Sequence, residues 1–243
     1  MFSNPVLHDA LAFRGGTALY KLHLPGARYS EDIDLVQTET APAGPMMDEL
    51  RKTLDLWLGK PRWKQTEGRV TFVYRINSED MPPIALRLKV ETNTREHFAV
   101  YGFKEIPFRV SSRWFEGSSN IHTYELEELL ATKLRALYQR RQGRDLFDLA
   151  IALKAPNLDP DRIVAAFLKY MDHEGHNVTR ALFDENFSRK LHDSDFMADI
   201  SHLLAAGYEW DADAAAAAVR VQLIERLPGE PWKGNREAQR LRP

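Results

Sequence analysis

The pattern of apolar and polar positions divides the chain into two halves of different character. Residues 1 to about 122 alternate short apolar runs with Gly, Pro and Ser breaks, which predicts strands and helices joined by short links. Residues 123–243 read as successive amphipathic helices, with a tail from about 228 that is poor in apolar residues and expected to be flexible. We therefore predict an α+β domain, a mixed sheet layered with helices, over 1–122 and a helical domain over 123–243.

The individual elements follow from the same periodicities. Alternating or short apolar runs predict strands at 11–13, 32–36, 70–76 and 84–92, and helical spacing predicts helices over 17–23 and 46–58. Thr17 is the expected N-cap of the first helix, and Pro25-Gly26 is expected to stop it. In the second half, helices are predicted over 124–140, 144–153, 159–171, 180–191, 196–206 and 212–227.

Composition narrows the class of protein. The 243 residues are 44% hydrophobic and 28% charged, with a net charge of −2, as in a globular protein whose surface is not basic overall. No apolar run reaches the ~18 residues that span a bilayer, and no secretory signal is recognisable. The absence of cysteine excludes disulfides, thiolate metal sites and cysteine nucleophiles, and suits the cytoplasm as the expected location.

Two aspartates carry the clearest chemical signal. Asp32 and Asp34 are two apart on a predicted strand, so both carboxylates lie on one face and repel unless a cation lies between them. Mg²⁺ or Mn²⁺ is the hard cation expected there, although a solvated strand face is the plainer interpretation. On another predicted strand, Lys89 and Glu91 share one face, which is either exposed to solvent or the floor of a charged site. In the second case Glu91 is a third metal ligand and Lys89 a substrate-binding residue.

A glycine turn precedes the helix predicted over 17–23. Gly15-Gly16-Thr17 lies between a predicted strand and a predicted helix, where glycines let the backbone approach an anion and the free amides favour phosphate. A capped turn without function has the same sequence, so the signal is weak by itself.

Charged residues in the second half supply a further candidate group. Lys133 falls inside the apolar stripe of helix 124–140, so it either extends to the surface or carries a cation into a cleft between the domains to bind phosphate. Asp145 is either a helix-terminal acid or a substrate-binding residue. Asp148 is either an exposed helix carboxylate or a partner that positions Lys133 or a substrate hydroxyl.

Three segments together resemble the AbiEii/AbiGii toxin family of nucleotidyltransferases. They are FRGGTALYKLHLPGARYSEDIDLV, RLKVETNTRE and ELEELLATKLRALYQRRQGRDLFDLAIAL, and they span most of residues 10–155. The resemblance implies a nucleotidyltransferase palm with a helical C-terminal lobe. It implies active-site roles for Ser30, Asp32, Asp34, Glu91, Lys133 and Asp148, with Asp145 a rival for the last. Gly-Gly-Thr stands where the wider superfamily usually carries Gly-Ser.

The function that this resemblance implies is a magnesium-dependent toxin of a toxin–antitoxin or phage-defence system. Such an enzyme would transfer a nucleotide from an NTP to RNA, some members of the family acting on the tRNA 3′ end, and its partner would be a cognate antitoxin. A non-catalytic nucleotide- or RNA-binding protein on the same fold, or a phosphotransferase acting on protein, are the alternatives. Candidate RNA contacts are Arg62, Trp63, Lys64, Arg69, Arg109, Arg113, Trp114, Arg140, Arg141 and Arg144.

Overall fold

The structure, a computed structural model, describes residues 1–24 and 26–234. Pro25, expected to stop the first helix, and residues 235–243 of the expected flexible tail lie outside the described residues. The chain forms two compact units, Met1–Leu126 and Glu127–Pro243. The division falls after the last strand, four residues beyond the predicted boundary at 122.

The first unit is built on a seven-stranded sheet. Its strands are β1 Leu11–Arg14, β2 Asp32–Gln37, β3 Arg62–Thr66, β4 Arg69–Asn77, β5 Ala85–Asn93, β6 Phe103–Ser111 and β7 Glu116–Tyr124. They lie in the order β3-β4-β5-β2-β1-β7-β6, with β2 parallel to β5 and β1 parallel to β7. Helices α1 Pro5–Ala10, α2 Gly15–Leu22 and α3 Ala43–Leu58 accompany the sheet. The predicted α+β class is confirmed.

One face of the sheet forms the apolar core of this unit. Helix α3 contributes residues spaced three or four apart, which lie on one side of a helix. The buried cluster consists mainly of Met46, Leu50, Leu54 and Leu58 from α3 with Val70, Phe72, Tyr74, Val90 and Leu35 from the strands. The alternation along β2 that buries Leu35 turns its aspartates to the opposite face.

The second unit is helical, as its periodicity predicts. Its helices are α4 Leu126–Gln139, α5 Gly143–Ala152, α6 Pro160–His173, α7 Arg180–Leu191, α8 Ser194–Ala198 and α9 Ala212–Gln222, followed by a 3₁₀ turn at Ile224–Arg226. Side chains of Asp159, Thr179, Asp193 and Asp211 accept hydrogen bonds from first-turn amides of α6, α7, α8 and α9. None of the helices in the described ranges combines the length and apolar character that crossing a bilayer requires.

Three strands escaped the sequence prediction. All five residues of the edge strand β3 are exposed, and β7 has few apolar residues, so neither shows an apolar alternation. In β6, Ile106, Phe108 and Val110 do alternate with exposed residues, and the sequence prediction overlooked that signal. The predicted helix start at 124 is wrong, because Tyr124 is the last residue of β7 and the helix begins at Leu126. Backbone pairing, which periodicity does not report, holds these segments in the sheet.

Three further helix predictions need correction. The helix predicted over 212–227 ends at Gln222, and the 3₁₀ turn Ile224–Arg226 follows it. Helix α2 begins at Gly15, so Thr17 lies inside it and is not its N-cap; the capping position is Arg14, whose side chain makes no capping hydrogen bond. The helix predicted over 196–206 is confined to Ser194–Ala198. Asp193 caps that helix before the predicted start, and turns replace its second half.

Candidate functional site

The acid pair of β2 faces the acid and the lysine of β5. Strand alternation places Asp32 and Asp34 on one face, and the parallel register sets Asp32 opposite Lys89 and Asp34 opposite Glu91. Four of the predicted site residues therefore occupy neighbouring positions on one patch of the sheet. Three carboxylates and one ammonium group meet on a surface where the Asp32 side chain is 38% exposed.

Lys89 is the cation between these carboxylates. Its Nζ lies 2.7 Å from Asp32 Oδ2 and 3.7 Å from Glu91 Oε2, and Arg69 Nε lies 3.4 Å from Glu91 Oε1. Burial alone would lower the pKa of Lys89. The hydrogen bond to Asp32 and the nearby acids outweigh that cost, so the net pKa lies above its ordinary value. Lys89 is therefore protonated at neutral pH.

The glycine turn packs directly against the acid pair. Gly15 has φ +76°, and a Cβ there would lie 2.2 Å from Asp34 Oδ2. A Cβ on Gly16 would lie 2.6 Å from Arg28 Nη2 and 3.1 Å from Ser30 Oγ. Gly15 is needed for this close approach, because of its positive φ and the adjoining Asp34 side chain, whereas at Gly16 the nearest atom is the end of the flexible Arg28 side chain. The two glycines bring the start of α2 next to a carboxylate, a guanidinium and a hydroxyl group.

Thr17 and Ser30 connect the glycine turn to β2, the strand that carries Asp32 and Asp34. Thr17 Oγ1 lies 2.8 Å from Ser30 Oγ and also donates to the main-chain oxygen of Asp32. The Thr17 hydroxyl group therefore binds neighbours outside the helix and does not cap the helix amides. These contacts hold the two predicted substrate-binding hydroxyls beside Asp32.

A divalent cation fits the two carboxylates of Asp32 and Asp34 better than it fits these two together with Glu91. Within residues 1–24 and 26–234, no three His, Cys, Asp or Glu side chains form a group that could hold a metal ion. Lys89 and Arg69 engage Glu91, which the sequence placed among the metal ligands. Mg²⁺ commonly takes only one or two carboxylates and completes its shell with substrate phosphates and water. Asp32 and Asp34 fit that donor set.

A second group of charged residues is buried within the helical unit. Lys133 Nζ on α4 lies 2.8 Å from Asp148 Oδ2 and 3.3 Å from Asp145 Oδ1, both on α5. Arg140 donates two hydrogen bonds to Asp145, from Nε to Oδ2 at 2.7 Å and from Nη2 to Oδ1 at 2.8 Å. Both aspartate side chains are 0% exposed and that of Lys133 is 8% exposed.

This geometry decides two of the open alternatives. Lys133 does not extend to solvent, and Asp148 is not an exposed helix carboxylate. Asp145 and Asp148 share Lys133, so the predicted pairing of Lys133 with α5 is present in the unit. That these residues act on substrate together with the acids of the sheet stays a prediction.

A third lysine lies close to the same cluster. Lys190 Nζ donates to the main-chain oxygens of Leu137 and Tyr138, at the end of α4, the latter at 2.8 Å. Burial lowers the pKa of Lys190 to about 8, although the negative charge of Asp145 opposes the shift. This lysine stabilises carbonyls that a helix C-terminus leaves unpaired.

The arginines predicted to contact RNA from the helical unit are engaged with aspartates. Arg140 binds Asp145, Arg144 Nε lies 3.1 Å from Asp199 Oδ2, and Arg141 Nη1 lies 3.5 Å from Asp193 Oδ2. Because these carboxylates neutralise the guanidinium groups, this side of the molecule offers less positive charge than its sequence suggests.

Two site neighbours were not identified from the sequence. Arg28 is buried, lies beside Gly16 and stacks over the Tyr20 ring at 4.8 Å. Arg14 is opposite Asp34 in the register and pairs with Glu96 at 2.7 Å. Arg14 directly precedes the glycine turn, which is a sequence signal that could have singled it out, whereas Arg28 lies twelve residues after Gly16 and comes next to it only through the fold.

The comparisons with known proteins assign the chain to a family. The sequence profile described as nucleotidyl transferase AbiEii toxin, Type IV TA system, matches residues 1–218. The chain belongs to the AbiEii family. It is a nucleotidyltransferase toxin of a type IV toxin–antitoxin system, which implies a nucleotide substrate and an antitoxin partner. The resemblance drawn from the three sequence segments is confirmed.

Solved structures place the AbiEii chain in the same fold. The nucleotidyltransferase toxin MenT4 from Mycobacterium tuberculosis H37Rv matches with a TM-score of 0.60 and 18% identity, over 96% of this chain and 78% of that one. JHP933 from Helicobacter pylori matches with a TM-score of 0.54 and 18% identity, over 89% and 83%. A nucleotidyltransferase described as putative, also from H. pylori, gives 0.52 and 18%, over 89% and 86%. A search of curated proteins gives no match.

Proposed function

We propose that this AbiEii toxin transfers a nucleotide from an NTP to the 3′ end of an RNA, with tRNA as the expected acceptor, in a reaction that depends on Mg²⁺ or Mn²⁺. The observation that carries the proposal is the packing of Gly15 against Asp34. It sets the start of a helix, suited to phosphate, directly beside a carboxylate pair suited to a hard cation. Phosphate and metal chemistry thus share one location.

The residues of the sheet divide the work of binding and orientation. Asp32 and Asp34 would hold the metal, which supplies Lewis-acid stabilisation of the triphosphate and lowers the pKa of an attacking hydroxyl. The amides at Gly15 and Gly16, with the hydroxyl group of Ser30, bind the phosphates. Thr17, whose hydroxyl proton goes to the Asp32 main-chain oxygen, holds Ser30 next to them. Arg28 adds positive charge beside Gly16.

The transfer forms one bond and breaks one. The acceptor's 3′-oxygen bonds to the α-phosphorus, the bond from that phosphorus to the bridging oxygen breaks, and pyrophosphate leaves. The hydroxyl proton passes to a carboxylate of the acid pair and then to water. Lys89, protonated at neutral pH, releases Asp32 and neutralises charge on the leaving pyrophosphate.

Lys133, Asp145 and Asp148 take a different part in the proposal. Two aspartates already compensate the Lys133 charge, so Lys133 is held in a fixed position by α5. Asp148 is the positioning residue closer to its ammonium group, and Asp145 is shared with Arg140. The reaction takes place in the cytoplasm, where NTP, RNA and antitoxin meet.

One observation favours a non-catalytic alternative. Lys89 pairs with Asp32 where a divalent cation would bind, so a protein that retains nucleotide or RNA without transfer would show the same ion pair. The two functions differ in whether Asp32 is needed for product formation or only for binding.

The test measures transfer of label from each α-labelled NTP to total tRNA by the wild type, Asp32→Asn and Glu31→Gln. Glu31 is an exposed neighbour that loses the same charge, so Glu31→Gln is the matched control. We expect Asp32→Asn to lower transfer by roughly two to three orders of magnitude, while Glu31→Gln keeps the wild-type rate. Equal labelling by all three proteins would overturn the catalytic assignment of Asp32. Nucleotide and RNA binding without labelling would establish the alternative.

A further inference from the structure

Two arginines face each other across the strands next to the acid pair. The antiparallel register of β4 and β5 sets Arg75 directly opposite Arg87. Residues opposite each other in an antiparallel pair have Cβ atoms about 5 Å apart, and like charges there are destabilising. The sheet therefore holds two guanidinium groups together at a free-energy cost.

The same face carries two further cations on the edge strand. Lys64 is opposite Thr71, which is opposite Glu91, and Arg62 is opposite Val73, which is opposite Lys89. Because facing residues in a ladder point to one side of the sheet, all four cations lie on the face of the acid pair. We call this set the basic face: Arg62, Lys64, Arg75 and Arg87.

The protein itself does not neutralise the basic face. All four side chains are exposed, and within the described ranges 1–24 and 26–234 none has an ion-pair partner. The arginines of the helical unit behave differently, since Arg140, Arg141 and Arg144 each contact an aspartate. Of these two sets, only the basic face keeps its positive charge available to an external anion.

We propose that the basic face binds the phosphodiester backbone of the RNA acceptor and guides its 3′ end to Asp32 and Asp34. This inference rests on the proposed transfer function. A polyanion that approaches three carboxylates is repelled by them, so cations flanking the acids must offset that repulsion. Lys64 is three strand spacings from Asp34, roughly 14 Å, which is short enough for one RNA strand to contact both.

RNA fits this surface better than an acidic protein does. The cations lie on β3, β4 and β5, the three strands next to the acid pair of β2, and an acceptor must be continuous from its binding surface to the reaction site. A protein partner would need no such continuity. Contacts of this kind carry no base specificity, so the basic face fixes the path of the backbone and leaves sequence choice to other residues.

The experiment measures binding of a fluorescein-labelled RNA hairpin with a single-stranded 3′ tail over a range of salt concentrations. The background is Asp32→Asn/Asp34→Asn, which separates RNA binding from nucleotide transfer. Arg75→Gln/Arg87→Gln is the test pair, and its folding is safe because it relieves like-charge repulsion. Lys52→Gln/Arg95→Gln is the control with the same change in net charge, since both cations are exposed and already paired with Glu49 and Glu67.

We expect the test pair to weaken RNA binding several-fold and to reduce the slope of log affinity against log salt by about 1.5 to 2, with no change in the control. In the otherwise wild-type enzyme, the test pair should raise KM for RNA and leave KM for NTP unaltered. Unchanged affinity and slope would overturn the inference, even if transfer is intact. If the wild type transfers no nucleotide but RNA binding is still salt-sensitive, only the proposed function is overturned. Equal binding of polyglutamate and RNA would show a surface for acidic proteins instead.

Discussion

The two units of this toxin use the same charged residue types in opposite environments. On the sheet, Lys89 meets Asp32 and Glu91 at a surface where the Asp32 side chain is 38% exposed. In the helical unit, Lys133 meets Asp145 and Asp148, whose side chains are fully buried. An exposed ion pair exchanges partners at little cost, whereas breaking a buried pair leaves an uncompensated charge. The first arrangement suits ligand binding, and the second suits fixed geometry.

Removing each lysine should separate these roles most clearly. We expect Lys133→Met to lower the free energy of unfolding by about 3 to 5 kcal/mol, because it leaves buried carboxylates without their lysine. Lys89→Met should change it by less than about 1 kcal/mol. Urea unfolding of both variants at pH 7 measures the difference, and similar losses would contradict the contrast between the units.

The pH dependence of the two units should differ in sign. Burial lowers the pKa of Lys190 from 10.5 to about 8. Between these values the unfolded chain binds a proton that the folded chain has lost, so stability relative to Lys190→Met rises with pH, by up to about 3 kcal/mol. The raised pKa of Lys89 acts in the opposite direction. Stability relative to Lys89→Met is constant below pH 10.5 and declines as pH rises through the folded-state pKa.

Thermal or urea unfolding of the wild type and the two variants, at pH 7, at pH 10 and above pH 10.5, provides the measurement. The step from pH 7 to pH 10 tests Lys190, and the step above pH 10.5 tests Lys89. Groups that titrate in all three proteins cancel in each difference. A Lys190 difference that stays constant from pH 7 to pH 10 would show that its proton is retained.

The smallest effect should come from adding one methyl group in each unit. A Cβ at Gly143 would lie 2.0 Å from the main-chain oxygen of Phe196, which cannot rotate away, so Gly143→Ala should cost about 1 to 3 kcal/mol. Gly15→Ala should cost about 1 to 2 kcal/mol for its positive φ and displace the Asp34 side chain. Only Gly15→Ala should lower the turnover that remains per folded molecule. Transfer assays normalised by the folded fraction distinguish the two, and equal residual turnover would contradict the assignment.

Several parts of the fold and site could be predicted because local pattern reflects them directly. The alternation in Asp32-Ile33-Asp34-Leu35 correctly predicts a half-buried strand with two carboxylates on one face. The helical periodicity over 180–191 predicts α7 with both ends correct. The position of Lys133 within an apolar stripe correctly signals that its environment is unusual. In each case the side chains that decide the structure are neighbours in sequence.

Other parts depend on partners distant in sequence. Strand β3 has five exposed residues, and only its ladder with β4 makes it a strand. Thr17 is a plausible helix cap by type, yet Ser30 and the Asp32 main chain, thirteen and fifteen positions away, bind its hydroxyl group. The order of the sheet sets Lys89 beside Asp32 across 57 residues of chain.

By itself the sequence determined the α+β class, the acid pair and the family, because alternation, turn glycines and ordered motifs are properties of neighbouring residues. Only the tertiary structure decided which charges are compensated. It neutralises Arg140 and Arg144 with aspartates, buries Lys133 between Asp145 and Asp148, and leaves Arg75 opposite Arg87 without a carboxylate. The physical reason is that Coulomb energy depends on distance and on access to water, and folding sets both by bringing together residues that the sequence keeps far apart.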